Sequence, residues 1–354
     1  MAYTTINKST DHFITHLYSG NDSTNNQTSL GMTPDLVWVK SRNTGSPTQH
    51  YWVDKVRGDK KYISSNADTA EQTDGNTFDL VSGGFNLAGG NGWTNVSGRT
   101  YVAWNWKANG AGVSNTDGSI TSTVSASSTS GFSIVKYTGT GSNATVGHGL
   151  GGAVPKMIIV KNLTNANAWS VYHASLGATK YLALNESDAA GTASDRWQDT
   201  IPTSSVFSIG TNANQGGSYD YIAYCFAEKT GFSKFGSYTG NGNASNAPFI
   251  YTGFKPAFVL HKRTDSTSDW DLFDNKRVGY NVDNRILAPN TNAAEVTATK
   301  IDLLSNGFKL RTSTGGNYSG TYIYMAFAEA PIVGSNNVPC TARWGKKLWV
   351  KIEK

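Results

Sequence analysis

The sequence predicts an all-β protein: three tandem antiparallel β-sandwich domains, jelly-roll-like, with a short C-terminal extension. Three observations lead there. A short apolar run between a proline and a lysine occurs three times, as Pro34-Asp-Leu36-Val37-Trp38-Val39-Lys40, Pro155-Lys-Met157-Ile158-Ile159-Val160-Lys161 and Pro256-Ala-Phe258-Val259-Leu260-His261-Lys262. The spacing from each proline to a closing apolar strand is fixed: Pro34 to Tyr101 is 67 residues, Pro155 to Tyr221 is 66 and Pro256 to Tyr322 is 66. Charged residues make up only 16% and aromatics 12%, with 38 glycines, and no apolar 3.6-residue period runs beyond two turns, which suits short strands joined by many turns.

Within each unit the elements recur in order. An aromatic strand ends in Tyr, Ser or Thr, and Gly around Tyr18, Tyr137 and Tyr238. The Pro-to-Lys run follows; four bulky residues behind a breaker are too short for a helix and read as a strand buried on both faces, with proline at the strand start where its missing N–H does no harm. Next come a tryptophan-led strand at Trp52, Trp169 and Trp270, and a strand at Lys61-Tyr-Ile-Ser, Lys180-Tyr-Leu-Ala and Arg285-Ile-Leu-Ala. A strand around Phe85, Phe207 and Phe308 precedes Gly/Asn-rich loops that read as hairpins. Each unit closes on Tyr101–Trp106, Tyr221–Phe226 or Tyr322–Phe327.

These spacings give a polar lead-in over 1–11, units over 12–109, 131–230 and 231–331, and a C-terminal extension over 332–354. The Gly/Ser/Thr-rich stretch 110–130 reads as a linker carrying one edge strand at Ile120 to Val124. Units of about 100 residues are large enough to bury independent cores. The extension alternates apolar and other residues at Leu348, Trp349, Val350, Lys351 and Ile352. It is a candidate docking strand for another subunit or for the first domain.

Net charge is +5 with lysines scattered, so no basic stripe suggests nucleic acid. No run approaches the length of a membrane span, and residues 1–8 lack the apolar core of a signal peptide. The two cysteines, Cys225 and Cys340, are too few for a repeated disulfide framework and are expected as free thiols.

No catalytic constellation, cofactor site or metal site is expected. His12 and His16, four apart on the first strand, have no Cys or Glu at ligand spacing. The acidic cluster Asp265, Asp269, Asp271 and Asp274 lacks the glycine and bidentate glutamate of a calcium loop. No Gly-x-Ser-x-Gly elbow leads from strand to helix, and no pair of carboxylates recurs in register as a glycosidase would need. Aromatic side chains give the stronger signal. Trp93, Tyr219 and Tyr318 each follow a Gly/Asn loop, where a flat ring offers a platform for a sugar or a protein partner; the alternative is that these rings fold over the open end of each sandwich.

Phe132-Ser-Ile-Val-Lys-Tyr-Thr-Gly139, Val154–Lys161, Tyr221–Glu228, Lys234–Gly242 and Ile301–Leu310 together resemble a family of repeated β-domain virion proteins carried by tailed bacteriophages of marine bacteria. The resemblance covers about 12–331. It implies a virion structural protein, made in the host cytoplasm and displayed on the particle as a capsid-decorating or tail-appendage subunit, with other virion proteins as partners and homo-oligomers in the particle. It supplies no catalytic residues. The alternative is a carbohydrate-binding receptor-recognition module for host surface glycan acting through Trp93, Tyr219 and Tyr318. A polysaccharide hydrolase has the least support.

Overall fold

The computed structural model describes residues 3–44, 48–75, 77–89, 92–213, 218–278, 281 and 283–334. Among them the regular secondary structure is almost entirely strand; the helical elements are one 3-10 turn at Ser9–Asp11 and one α-turn at Ser194–Trp197. The first unit contributes β1 (Phe13–Ser19), β2 (Asn25–Gln27), β3 (Leu36–Ser41), β4 (Tyr51–Asp54), β5 (Lys61–Tyr62), β6 (Gln72–Thr73), β7 (Thr77–Val81), β8 (Gly84–Ala88) and β9 (Thr100–Trp106). Next come β10 (Val113–Asn115), β11 (Ser122–Ser127), β12 (Phe132–Thr138), β13 (Ala144–Gly147), β14 (Pro155–Asn162), β15 (Ser170–His173), β16 (Lys180–Tyr181), β17 (Gly191–Thr192), β18 (Val206–Ile209) and β19 (Asp220–Ala227). The third unit has β20 (Ser233–Gly240), β21 (Phe249–Tyr251), β22 (Phe254–Arg263), β23 (Trp270–Asp274), β24 (Asp283–Ile286), β25 (Val296–Leu304), β26 (Gly307–Leu310) and β27 (Gly320–Pro331).

Each unit has a main sheet of one plan, ordered β1-β9-β3-β4, β12-β19-β14-β15 and β20-β27-β22-β23, and an outer sheet, β2-β8-β7, β13-β18 and β21-β26-β25-β24. All registers within these sheets are antiparallel. The Pro-to-Lys runs are β3, β14 and β22, the equivalent inner strands. Their unbroken apolar character has a two-sided cause. Val37 and Val39, Ile158 and Val160, and Val259 point to a core between the two sheets of their own unit. Leu36 and Trp38, Met157 and Ile159, and Phe258 and Leu260 point the other way, into one cluster common to all three units. The closing strands divide likewise: Trp104 and Trp106, Tyr224 and Phe226, and Met325 and Phe327 join the common cluster.

Each unit therefore has a core between its own two sheets and, beyond what was expected, turns the other face of its main sheet to a centre shared by all three. At that centre the equivalent residues Trp106, Phe226 and Phe327 form a triangle of rings, 6.4, 6.0 and 5.8 Å between centroids. A triangle of equivalent positions is what a cyclic arrangement of three like units produces.

Three further readings are corrected by register. The stretch 110–130 is not a free linker: β10 and β11 form a hairpin that extends the second unit's main sheet to six strands, β11 pairing with β12 from Ser122↔Tyr137 to Ser127↔Phe132. Its Ser/Thr-rich composition suits an edge ribbon with one wet face. The Gly/Asn loops are not hairpins; β8, β18 and β26 lie in outer sheets and β9, β19 and β27 in main sheets, so these loops cross between layers. They are tied down from the main sheet, where the hydroxyls of Tyr18, Tyr137 and Tyr238 donate to Thr94, Ala213 and Gly316 carbonyls. Finally, Trp52 is not the equivalent of Trp169 and Trp270. Trp52 pairs with Trp38, whereas Val171 and Leu272 hold that place opposite Ile159 and Leu260; His50, two residues earlier, stands where the other units have tryptophan.

Candidate functional site

The buried polar groups are organised as a seam between units. His50 takes the indole N–H of Trp38 on Nδ1 at 2.8 Å and, through Nε2–H, donates to the Ala288 carbonyl of the third unit at 3.0 Å. The equivalent Trp169 donates to Ser64 and Ala67 carbonyls of the first unit, and Trp270 to the Ala183 carbonyl of the second. The acceptors Ser64, Ala183 and Ala288 are themselves equivalent, each following the bridging residue Ile63, Leu182 or Leu287. The chain thus closes a cycle in which each unit donates to its predecessor and the first donates to the third.

The lysines that end the three runs repeat the pattern. Lys40 donates to Asn292 O, Lys161 to Asp68 O and Lys262 to Ser187 O, each in the neighbouring unit, with further acceptors at Thr48, Asn162, Asn167 and Arg263. Burial lowers all three pKa values to about 8, while the converging carbonyl oxygens accept from the protonated amine. A backbone bond joins the same neighbours: Glu71 N to Leu163 O, Ala190 N to Thr264 O and Glu295 N to Arg42 O.

A buried carboxylate completes the seam in two units. Asp54 accepts from Arg57 Nε, from the backbone of Val56 and Arg57, and from the Tyr224 hydroxyl of the second unit at 2.8 Å. Asp274 accepts from Arg277 Nε and its own turn, and from the Trp104 indole of the first unit at 3.0 Å. Glu71 and Glu295 lie at 3.5 and 3.2 Å from the far side of the two arginines. In the second unit the three positions hold His173, Leu176 and Ala190, and the neighbour that would donate is Met325, which cannot. His173 instead donates from Nε2 to the Tyr324 carbonyl at 3.2 Å and accepts the Ser175 N–H on Nδ1. Charged triad and donor have been replaced together, as expected where a lone buried charge is costly.

These histidines make stability acid-sensitive. Burial holds His173 at a pKa of about 4 and His50 well below the usual imidazole range. With a folded value depressed from 6.5, the unfolded chain binds more protons between pH 6.5 and 4. Stability is therefore complete above pH 6.5 and lost as pH falls towards 4, by about 3 kcal/mol for His173 alone. Urea unfolding at pH 7 and pH 4.5 is expected to show this fall, and His173→Gln to reduce it.

The acidic cluster does not converge. Asp265 pairs with Arg263, Asp269 accepts from Asn290, Asp271 binds Lys300 at 2.7 Å and Asp274 serves the seam. His12 lies outside β1, edge-on to Phe232, while His16 bonds Gln27. His261, Asp271 and Lys300 bring acid and base types together, but His261 is fully buried against Phe273 and walled in by Gly316. Among the described residues no group of three or more His, Cys, Asp or Glu is placed to hold a metal. Cys225 is a buried free thiol whose pKa burial raises; Cys340 lies outside the described residues.

The three loop aromatics are not one platform in triplicate. Trp93 packs edge-on against Tyr62 and Tyr51, and Tyr219 is half-buried against its unit's core. Tyr318 alone of the three is exposed, at 45%, with the Arg263 guanidinium 5.7 Å from its ring. Trp93→Ala is accordingly expected to cost about 2 kcal/mol of stability and Tyr318→Ala under 0.5 kcal/mol, read from denaturant midpoints. Leu348, Trp349, Val350 and Ile352 lie outside the described residues.

The exposed aromatic surface that sequence reasoning missed is on β21, where Phe249 and Tyr251 are 45% and 57% exposed on either side of buried Ile250. Alignment on Ile250↔Phe308, Val146↔Phe207 and Gln27↔Phe85 shows the same outward positions filled by Thr145 and Gly147 in the second unit and Asn26 and Thr28 in the first. Only the third unit places rings there. The Tyr3 hydroxyl donates to Gly253 O beside them at 2.8 Å and lies against Tyr251. The signal was the alternation Phe249-Ile-Tyr251, legible as exposed only once the register is known.

Comparison with curated proteins and with solved structures gives no match. No helix among the described residues is long and apolar enough to cross a membrane. Residues 8–331, all three units together, match a single family described as a domain of unknown function, and the chain belongs to that family, DUF7483.

Proposed function

We propose that the protein is a structural and adhesive component that works by surface contact, and that its three units are one two-sheet sandwich recipe written in triplicate and closed into a ring. The observation that carries this reading is the seam. The buried lysines, the Asp–Arg pairs and the buried histidines His50 and His173 are committed to holding unit to unit or turn to strand, and a closed ring of this kind presents outer sheets and loop tips as its working surfaces. A rigid body with shared core suits a part displayed on a particle. The virion setting follows from the resemblance of its motifs to phage β-domain proteins, as a capsid-decorating or tail-appendage subunit in contact with other virion proteins. Immunogold electron microscopy of purified particles tests it: label on the particles supports the reading, and label confined to the soluble lysate overturns it.

A second reading, recognition of host surface glycan, is favoured by exposed Tyr318 beneath Arg263, a ring and a cation at a loop tip. Glycan-array binding that is lost in Tyr318→Ala while the denaturant midpoint is unchanged supports it. Binding equal to the parent's, or none by either protein, overturns it.

A further inference from the structure

The outward face of the third unit's outer sheet differs from its two equivalents at four neighbouring positions together. Ile250, Phe308 and Leu310 turn into the unit's core, so Phe249 and Tyr251 on β21 and Lys309 on β26 turn the other way. Phe249 stands opposite Lys309 in register. Arg311 joins them through its ion pair with Asp302, the residue opposite Lys309 on β25. With Phe308 aligned on Phe207 and Phe85, the same four places hold Thr145, Gly147, Ser208 and Gly210 in the second unit, and Asn26, Thr28, Asn86 and Ala88 in the first. Small uncharged residues in two units thus correspond to two rings and two cations in the third. With Asp302 as the carboxylate between them, the group carries one more cation than anion.

Glycines set the two rings in place. A Cβ at Gly307 would lie 2.9 Å from Cζ of Phe249, and one at Gly253 would lie 2.9 Å from Tyr3 Oη and 3.7 Å from Tyr251 Oη. The Phe249 ring therefore leans over the bare backbone of Gly307, and the hydroxyls of Tyr3 and Tyr251 meet beside Gly253, whose carbonyl accepts the Tyr3 proton at 2.8 Å. The chemistry of this face narrows the ligand. A pyranose has an apolar C–H face and a rim of hydroxyls, and its C–H face stacks on an exposed ring. Two such places about 7 Å apart, the repeat of alternate residues on a strand, suit an oligomer. A protein partner is poorly served, because two half-exposed rings offer roughly 200 Å² against about 800 Å² on each side of a stable protein interface. The excess cation calls for negative charge at the sugar's rim, and a hexuronate carries one as a carboxylate outside its ring. We propose that the outward face of β21 and β26 binds an acidic oligosaccharide of the hexuronate class, its C–H faces on Phe249 and Tyr251 and its carboxylates on Lys309 and Arg311. The site uses no part of the Tyr318 loop, so it stands or falls independently of the glycan reading given above.

Isothermal titration of the whole protein with an oligogalacturonate tetramer tests the assignment, the fully methyl-esterified tetramer serving as the uncharged control. The variants borrow residues that the other units already hold at these places: Phe249→Thr with Tyr251→Thr for the rings, and Lys309→Ser for the cation. All are outward-facing and are expected to keep the parent's urea midpoint. The parent is expected to bind the tetramer, the double variant to bind it about tenfold more weakly or not at all, and Lys309→Ser to bind it about threefold more weakly. The ester should bind parent and Lys309→Ser alike, and Tyr318→Ala should bind the tetramer as the parent does. No binding by the parent, equal binding by the double variant, or equal affinity of the parent for acid and ester overturns the proposal. Self-association of the parent in sedimentation that the double variant lacks also overturns it, because a second copy then covers the rings.

Discussion

Asp54→Ala is expected to destabilise the protein by about 3–5 kcal/mol, a large part of the total stability of an ordinary domain. The carboxylate is fully buried with Arg57, so its removal leaves the guanidinium uncompensated and takes the acceptor from the Tyr224 hydroxyl of the next unit. Loss of one partner of a buried pair costs far more than replacement of the whole group by matched apolar side chains. The chain contains that replacement already, as His173, Leu176 and Ala190 facing Met325. The fourfold variant Asp54→His, Arg57→Leu, Glu71→Ala, Tyr224→Met is therefore expected to recover most of the loss, to within about 2 kcal/mol of the parent. Urea midpoints of parent, single and fourfold variants measure both effects. A fourfold variant as unstable as Asp54→Ala contradicts the view that the second unit solves the same packing problem without charge.

The second large effect is expected at the ring triangle. Phe226→Ala removes a fully buried ring that touches Trp106 of the first unit and Phe327 of the third, and a loss of about 3–5 kcal/mol follows from lost transfer energy and the cavity left behind. The decisive feature is where the loss appears. Because the centre belongs to all three units, amide exchange should accelerate in β9 and β27 as well as in β19, by similar factors. Acceleration confined to β19 and its own unit's strands contradicts a shared core.

The all-β class and the recurrence of like strands could be read in the sequence because they rest on local patterns. A breaker, an unbroken apolar run and a fixed spacing are visible without knowing what lies opposite, and the equivalence of Lys61, Lys180 and Arg285 survives in the registers. The seam was not visible for a physical reason. The acceptors that Lys40, Lys161 and Lys262 reach across the seam are backbone carbonyls, and a carbonyl has no signature in sequence. The β10–β11 hairpin escaped because its Ser/Thr-rich strands occupy an edge, where burial demands little of composition. Trp52 misled because identity outweighed register: His50 performs the donor role of Trp169 and Trp270 with a different ring. At the candidate site, Tyr318 stands exposed on its loop, whereas Trp93 and Tyr219 stand at other distances from their closing tyrosines and fold inward.

Calorimetry tests the central claim most directly, that three repeats share one core and close on one another. A single endotherm whose van't Hoff and calorimetric enthalpies agree is expected at pH 7, with tryptophan fluorescence and far-ultraviolet dichroism melting at the same temperature. Two or three resolved transitions, or an excised 131–230 segment that unfolds with the parent's midpoint and cooperativity, would show that each unit stands alone and would contradict it.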